Sequence, residues 1–338
     1  MINGYAELSR MAFGYATSQI LYTAVRLGVP DALAAGAMPI DELARSIGAD
    51  PRALERLSRA LVVLGVVDEV APGHLALAAL GQPLRADHPW SMRSSVLLLG
   101  DPATWQAWGA LTHSVRTGEA AFDHVHDQPL FDYLAGHHDL SRIFNTAMCE
   151  GTERVALEAA RAYDFTGART VVDIGGGNGT LLAAILAATP SAQGILYDTA
   201  DGVAAAAGTF QQAGLSDRCS VEVGDFFEAV PEGDLMLLKG VLHDWDDQRC
   251  TALLRNCRAS IATGGRLLIL EPVLPSRLDT PEAAGVVMSD IAMLIYTGGW
   301  ERSRAEFHDL LAAGGFDLTD VTPPLRGSAI RILVADPS

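Results

Sequence analysis

The strongest constraint on the fold lies between residues 170 and 272, where short apolar runs alternate with amphipathic stretches. "TVVDIG", "GILYD", "CSVEVGD", "GDLMLLKG" and "GRLLILEP" read as strands, with "GTLLAAILAAT", "GVAAAAGTFQQAG" and "DQRCTALLRNCRASI" as helices between them. Alternation of this kind implies an α/β fold, a parallel sheet with helices on both faces. Such sheets bind ligands beyond the carboxyl ends of their strands, near the point where strand order reverses. The residues expected there are Gly175, Asp198, Asp225, Lys239 with His243, and Glu271.

Ahead of this region the rhythm is helical. "MAFGYATSQILYTAVRLGV" has apolar residues at helical spacing, "PIDELARSIGAD" is a short helix with Asp41 as its N-cap, and "PRALERLSRALVVLGVV" opens with Pro51 after Asp50. "VDEVAPGHLALAALG" then reads as a hairpin or wing. Three helices and a wing suggest a winged-helix-like domain over residues 1–95. Residues 96–165 read as a helical linker with a looser middle, and 166–338 as the α/β domain. The pairs His124/His126 and His137/His138 have no second ligand cluster at metal spacing, so they are expected to be solvated loop histidines and no metal is expected.

Charge narrows the function. The 338 residues carry a net charge of −17, and the winged-helix-like segment sets Arg52, Arg56 and Arg59 against Glu55, Asp68 and Glu69. That balance opposes nucleic-acid binding and favours an oligomerisation role. No apolar run approaches the ~18 residues of a spanning helix, so no membrane partner is expected. The four cysteines form no C-x-x-C pair, which suits a reduced, cytoplasmic setting. Lys239 is the only lysine in the chain; every other basic residue among the 24 is an arginine. It ends a strand run four residues before His243.

The first strand runs into "VVDIGGGNGTLL". A dinucleotide fingerprint starting at Gly175 needs a third glycine where Thr180 stands; the pattern present is D-x-G-x-G-x-G, through Asp173, Gly175, Gly177 and Gly179. Bare backbone there lets a ligand approach closely. Asp198 can take both hydroxyls of a ribose. Asp225 beside Phe226 suits the amino group and face of an adenine, although Asp225 also suits a helix N-cap.

With these stretches, "LLKGVLHDWDD", "LLILEPVLP" and "TGGWERSRAEF" complete a pattern that resembles the small-molecule S-adenosylmethionine-dependent O-methyltransferases, the class of plant caffeate-type and bacterial natural-product enzymes. The resemblance spans nearly the whole chain. It implies a Rossmann-like sheet that binds S-adenosylmethionine and releases S-adenosylhomocysteine without a metal, and a winged-helix-like domain that makes a homodimer. Lys239 then contacts the cofactor near its adenosine. His243 is the base that takes a hydroxyl proton, with Glu271 and Glu301 orienting it and Asp244 helping to anchor it. Acceptor contacts are implied for Phe144 and Met148 on one helix and for Met288, Asp290 and Met293 on another. "TGGWERS" lacks the proline that plant members carry before the paired glycines, and Trp300 stands where they often have lysine; the departures bear on the acceptor. The expected acceptor is a compact hydroxylated aromatic from secondary metabolism. Same-fold alternatives are N-methylation, decarboxylation or hydroxylation, or a non-enzymatic regulator; a nearby carboxylate-held histidine favours O-methylation because a proton must be removed.

Overall fold

The computed structural model describes residues 2–338, with the side chains of residues 2, 3, 281 and 282 left aside. The chain forms two compact units, residues 1–105 with 142–150, and residues 106–141 with 151–338.

The first unit is helical with a small antiparallel sheet. Its strands are β1 (Met38–Pro39), β2 (Val67–Ala71) and β3 (His74–Leu77), in the order β1-β3-β2. Helices Gly14–Leu27, Ile40–Ile47 and Pro51–Val63 bury Ala24, Val25, Leu43, Leu54 and Leu61 in one core. Asp50 caps the Pro51 helix by accepting from the Ala53 amide at 2.8 Å. Asp41 is not a cap as expected: Pro39 holds the N-cap position, and Asp41 falls in the first helical turn. A carboxylate there still faces the positive end of the helix dipole. Helices Ile2–Ala12 and Gly14–Leu27 leave Tyr5, Leu8, Met11, Phe13 and Tyr15 between 59 and 79 % exposed.

The second unit holds a seven-stranded sheet: β4 (Thr170–Ile174), β5 (Gln193–Asp198), β6 (Cys219–Val223), β7 (Gly233–Lys239), β8 (Ile261–Pro272), β9 (Phe316–Val321) and β10 (Ile330–Pro337). Their order is β6-β5-β4-β7-β8-β10-β9. The first five are parallel; β10 runs antiparallel to both β8 and β9. The order reverses between β4 and β7, so a crevice opens at the carboxyl ends of these two strands.

Alternation along the strands explains the burial. Val171, Leu235, Leu237, Leu268 and Leu270 face one core, whereas Val172, Met236, Leu238, Leu267 and Ile269 face the other. Successive side chains point to opposite faces, so a sheet covered on both sides needs apolar residues at every position. Register brings the ends level: Ile174 pairs with Tyr197 and Leu238, and Lys239 with Leu270. Asp198, Lys239 and Glu271 therefore emerge along one edge.

Candidate active site

Gly175, Gly177 and Gly179 follow β4 with φ of 69°, 57° and 79°, a region that side chains rarely adopt. A Cβ on Gly175 would lie 2.8 Å from Val241 Cγ2, while one on Gly177 would meet open space. Asp198, at the end of β5, accepts from the Gly177 amide at 2.8 Å through Oδ2 and from the Thr199 amide at 2.6 Å through Oδ1. Each oxygen keeps a second lone pair. Asp173 is wholly buried, and among the described residues neither of its oxygens has a donor at hydrogen-bonding distance. Burial first, and then the charge of Asp198, push its carboxyl up to about 7. Asp225 accepts from the Phe227 amide at 2.8 Å, and the Phe226 ring packs edge-on against Phe227. Lys239 is half-buried where β7 ends. Bare backbone, an orphaned buried carboxylate and an aromatic ring beside the loop fit a nucleoside-bearing cofactor such as S-adenosylmethionine.

Past β7 the chain makes a short 3₁₀ turn, Leu242–Asp244, which carries His243. Two carboxylates from outside fix this turn, and a third, Asp244, belongs to it. Glu271, fully buried at the end of β8, accepts from the amides of Val241 at 3.0 Å and Leu242 at 2.6 Å. Glu301 approaches His243 Nδ1 at 3.1 Å, and the same oxygen, Oε1, accepts from the Ser289 hydroxyl at 2.6 Å. Its backbone amide donates to Asp290 at 2.9 Å. Asp244 Oδ1 lies 4.0 Å from His243 Nε2. The division of labour differs from expectation: Glu301 alone holds the ring, and Glu271 secures the backbone beneath it. The Nδ1 contact to a carboxylate places the proton on Nδ1 of the neutral ring and leaves the Nε2 lone pair free to accept.

Electrostatics alter the ring. Burial opposes the imidazolium, but Asp244, the hydrogen bond to Glu301 and the charge of Glu271 outweigh it and raise the His243 pKa to about 9, not the ordinary 6.5. Burial likewise lifts the Asp244 carboxyl to about 6 and raises that of Glu271.

Three supports leave little trace in the sequence. Arg302 is fully buried; it donates to the carbonyls of Leu242 and Trp245, both at 2.8 Å, and to Asp247 at 2.9 Å, and it lies 4.6 Å from the centre of the Trp300 ring. Gly299 passes so close under the turn that a Cβ would come 2.0 Å from the His243 carbonyl. Ser289 is the third addition. The signal lay in "GGWERS", where an arginine follows the carboxylate and a paired glycine precedes it.

The acceptor set divides. Met288, Asp290 and Met293 lie on the Pro281–Tyr296 helix of the second unit, where Asp290 is engaged by the Glu301 amide and Met288 is 59 % exposed. Phe144 and Met148 lie on the part of the His138–Ala162 helix that belongs to the first unit. The expected loop histidines sit instead at helices: His124 and His126 in Ala121–His126, His137 and His138 at the start of His138–Ala162. His124 stacks on His113 with centroids 3.9 Å apart, and His137 on Tyr133 at 3.7 Å, so aromatic packing accounts for both. Among the described residues, the one trio whose ligand atoms could share a cation is His243, Glu271 and Glu301, and its Nδ1 and Oε1 atoms are engaged in the bonds given above.

The family model described as an O-methyltransferase domain matches residues 108–317, and that of the O-methyltransferase dimerisation domain matches residues 9–81. The chain is 41 % identical over 324 residues to the phenazine O-methyltransferase PhzM of Lysobacter antibioticus, covering 96 % of this chain and 94 % of that one. The crystal structure of LaPhzM superposes with a TM-score of 0.94 at 40 % identity, covering 99 % of each chain. NcsB1 from neocarzinostatin biosynthesis, solved with S-adenosylmethionine and 2-hydroxy-5-methyl naphthoic acid, gives 0.81 at 33 % identity, covering 96 % of each. The chain belongs to the S-adenosylmethionine-dependent O-methyltransferases of the natural-product type, enzymes that join a dimerisation domain to a methyl-transfer domain.

Proposed function

We propose that His243 is the general base for methyl transfer to the hydroxyl of a small aromatic natural-product intermediate, and that Glu301 orients its ring. The observation that carries this reading is the contact from Nδ1 to Glu301, which leaves Nε2 of the neutral ring as the nitrogen able to accept a proton. A phenol has a pKa of about 10; the cofactor-free ring, raised to about 9, is a stronger base than an ordinary imidazole but is largely protonated near pH 7, so it must shed that proton before it can accept one from the phenol. When bound, S-adenosylmethionine would supply the methyl group on a cationic sulfur, and that positive charge in the site would favour the neutral ring. Glu301 and Asp244 stabilise the imidazolium once the proton has moved.

Asp173, Gly175, Gly177, Asp198, Asp225, Phe226 and Lys239 are assigned to the cofactor. Asp198 offers its remaining lone pairs to ribose hydroxyls, and Phe226 a flat face to adenine. Met288, Met293, Phe144 and Met148 are assigned to the acceptor's apolar faces, to which methionine adapts readily. Asp290 acts on the acceptor through Glu301. PhzM is named for a phenazine and NcsB1 was solved with a naphthoic acid, both flat aromatics, which supports that class here. The first 95 residues are assigned to a homodimer interface.

The test is a radiolabelled methyl-transfer screen over a panel of phenols. Label in an ether product is expected; label on nitrogen alone, or none from any phenol, would overturn the reading.

A further inference from the structure

The Pro281–Tyr296 helix reaches the loop that carries Glu301 through two consecutive residues. Asp290 accepts from the Glu301 backbone amide at 2.9 Å, and the Ser289 hydroxyl donates to Glu301 Oε1 at 2.6 Å. A serine within a helix commonly turns its hydroxyl back to a carbonyl of the preceding turn. Ser289 directs its hydroxyl to a carboxylate instead, at the length of a charge-assisted O–H···O⁻ bond. The donors on Glu301 are unevenly shared. Oε1 takes both Ser289 and His243 Nδ1, at 2.6 and 3.1 Å. Oε2 is sealed from solvent and has no donor at hydrogen-bonding distance among the described residues. Ser289 therefore acts on the one atom through which Glu301 meets the ring. A donor on a carboxylate stabilises its charge and weakens the hold of that oxygen on a second donor.

We propose that Ser289 is a positioning residue for the proton transfer, one that sets how tightly Glu301 holds the His243 ring by sharing the oxygen that faces Nδ1. Three carboxylates surround the imidazole: Asp244 on its own turn, Glu271 from the end of β8, and Glu301. Lys239, at the end of β7, is the cation that acts on Asp244. The three carboxylates hold the ring's proton, and a ring that must be neutral to accept from a phenol gains from whatever loosens that hold. Ser289 does so by drawing charge from Oε1. Asp290 meanwhile fixes the Glu301 backbone independently of the hydroxyl. Loss of Ser289 should therefore change the ring's affinity for a proton more than its place. The inference rests on the proposed role of His243 as base and adds a residue that tunes it.

S289A removes the hydroxyl, S289C puts a weak donor of nearly the same shape in its place, and S289T keeps it. The titration of His243 is followed by ring-proton resonances in the full-length cofactor-free protein, its signal identified by its loss in H243Q. It should move upward by about 0.5 unit or more in S289A and S289C and stay in place in S289T. E301Q moves it the opposite way, and adding S289A to E301Q should change little further. With saturating S-adenosylmethionine and a phenol that the wild type methylates, S289A should lower kcat near pH 7 by about threefold, the loss that a 0.5-unit rise produces. That kcat should return to the wild-type value as pH rises past the titration, with KM for the phenol within about twofold throughout. A titration that stays in place or falls in S289A and S289C, an equal rise in S289T, or a kcat lowered by the same factor at every pH would overturn the proposal. An upward shift in S289A, together with full kcat in H243Q, would leave the link from Ser289 to the ring standing and remove the base reading. An unmoved titration, together with loss of kcat in H243Q, would do the reverse.

Discussion

At the scale of single residues, the site turns on how one imidazole is charged. His243 is 18 % exposed and surrounded by Asp244, Glu271 and Glu301, so its cation is stabilised more by neighbours than it is penalised by burial. A group whose pKa is raised on folding contributes stability that is complete below its unfolded value, near 6.5 here, and is lost as pH rises through about 9. Asp173 and Asp244, raised to about 7 and about 6, act in the same direction over a lower range. The cofactor-free protein should therefore lose stability as pH rises from 6.5 to 9, with at most about 3 kcal/mol from His243. H243Q should flatten that slope in melting curves taken across the range; an unchanged slope would show that the ring is not the titrating group. E301Q keeps an acceptor for Nδ1 but removes the charge. It should lower kcat by about 10²-fold and move the histidine's titration, followed by ring-proton resonances, towards 6.5. A titration that stays near 9 would place the stabilising charge elsewhere.

At the scale of elements, the turn bearing His243 is held by atoms from several directions: the Glu271 carboxylate on its amides, Arg302 on its carbonyls and Gly299 against its backbone. R302A would strand two buried carbonyl groups and remove the partner of the largely exposed Asp247, and should destabilise the protein by about 2–4 kcal/mol in urea unfolding. A loss under about 1 kcal/mol would mean that the turn is supported without it. Much of this framework was legible in the sequence, because the middles of parallel strands covered on both faces must be apolar, and "VV", "LMLL" and "LLIL" are. The closing strands β9 and β10 were not assigned, since "FDLTDV" carries three polar residues and its burial is partial. Glu271, Glu301 and His243 could be placed near one another, but which carboxylate met the ring could not. That choice depends on the path of the loop carrying Glu301, set by Arg302, Gly299 and Asp290 acting on backbone groups, and backbone contacts leave little trace in residue type. Asp41 failed as a cap for a related reason: the residue that starts a helix is decided by the chain before it, here Pro39 in an extended conformation.

At the scale of the whole molecule, the exposed apolar side chains on the first two helices need a partner. A homodimer, twice the 35.7 kDa chain, is expected in light scattering at micromolar concentration, and L8D should shift it towards monomer. A wild-type monomer would refute that assignment. The proposed chemistry depends on proton removal within the second unit, and that claim is met most directly by H243Q. With saturating S-adenosylmethionine and a weakly acidic phenol near pH 7, kcat should fall by about 10²–10⁴, with the loss shrinking for a more acidic phenol whose proton is already largely gone. If H243Q keeps more than half of the wild-type kcat on the weakly acidic phenol, positioning alone drives the transfer and His243 is not the base.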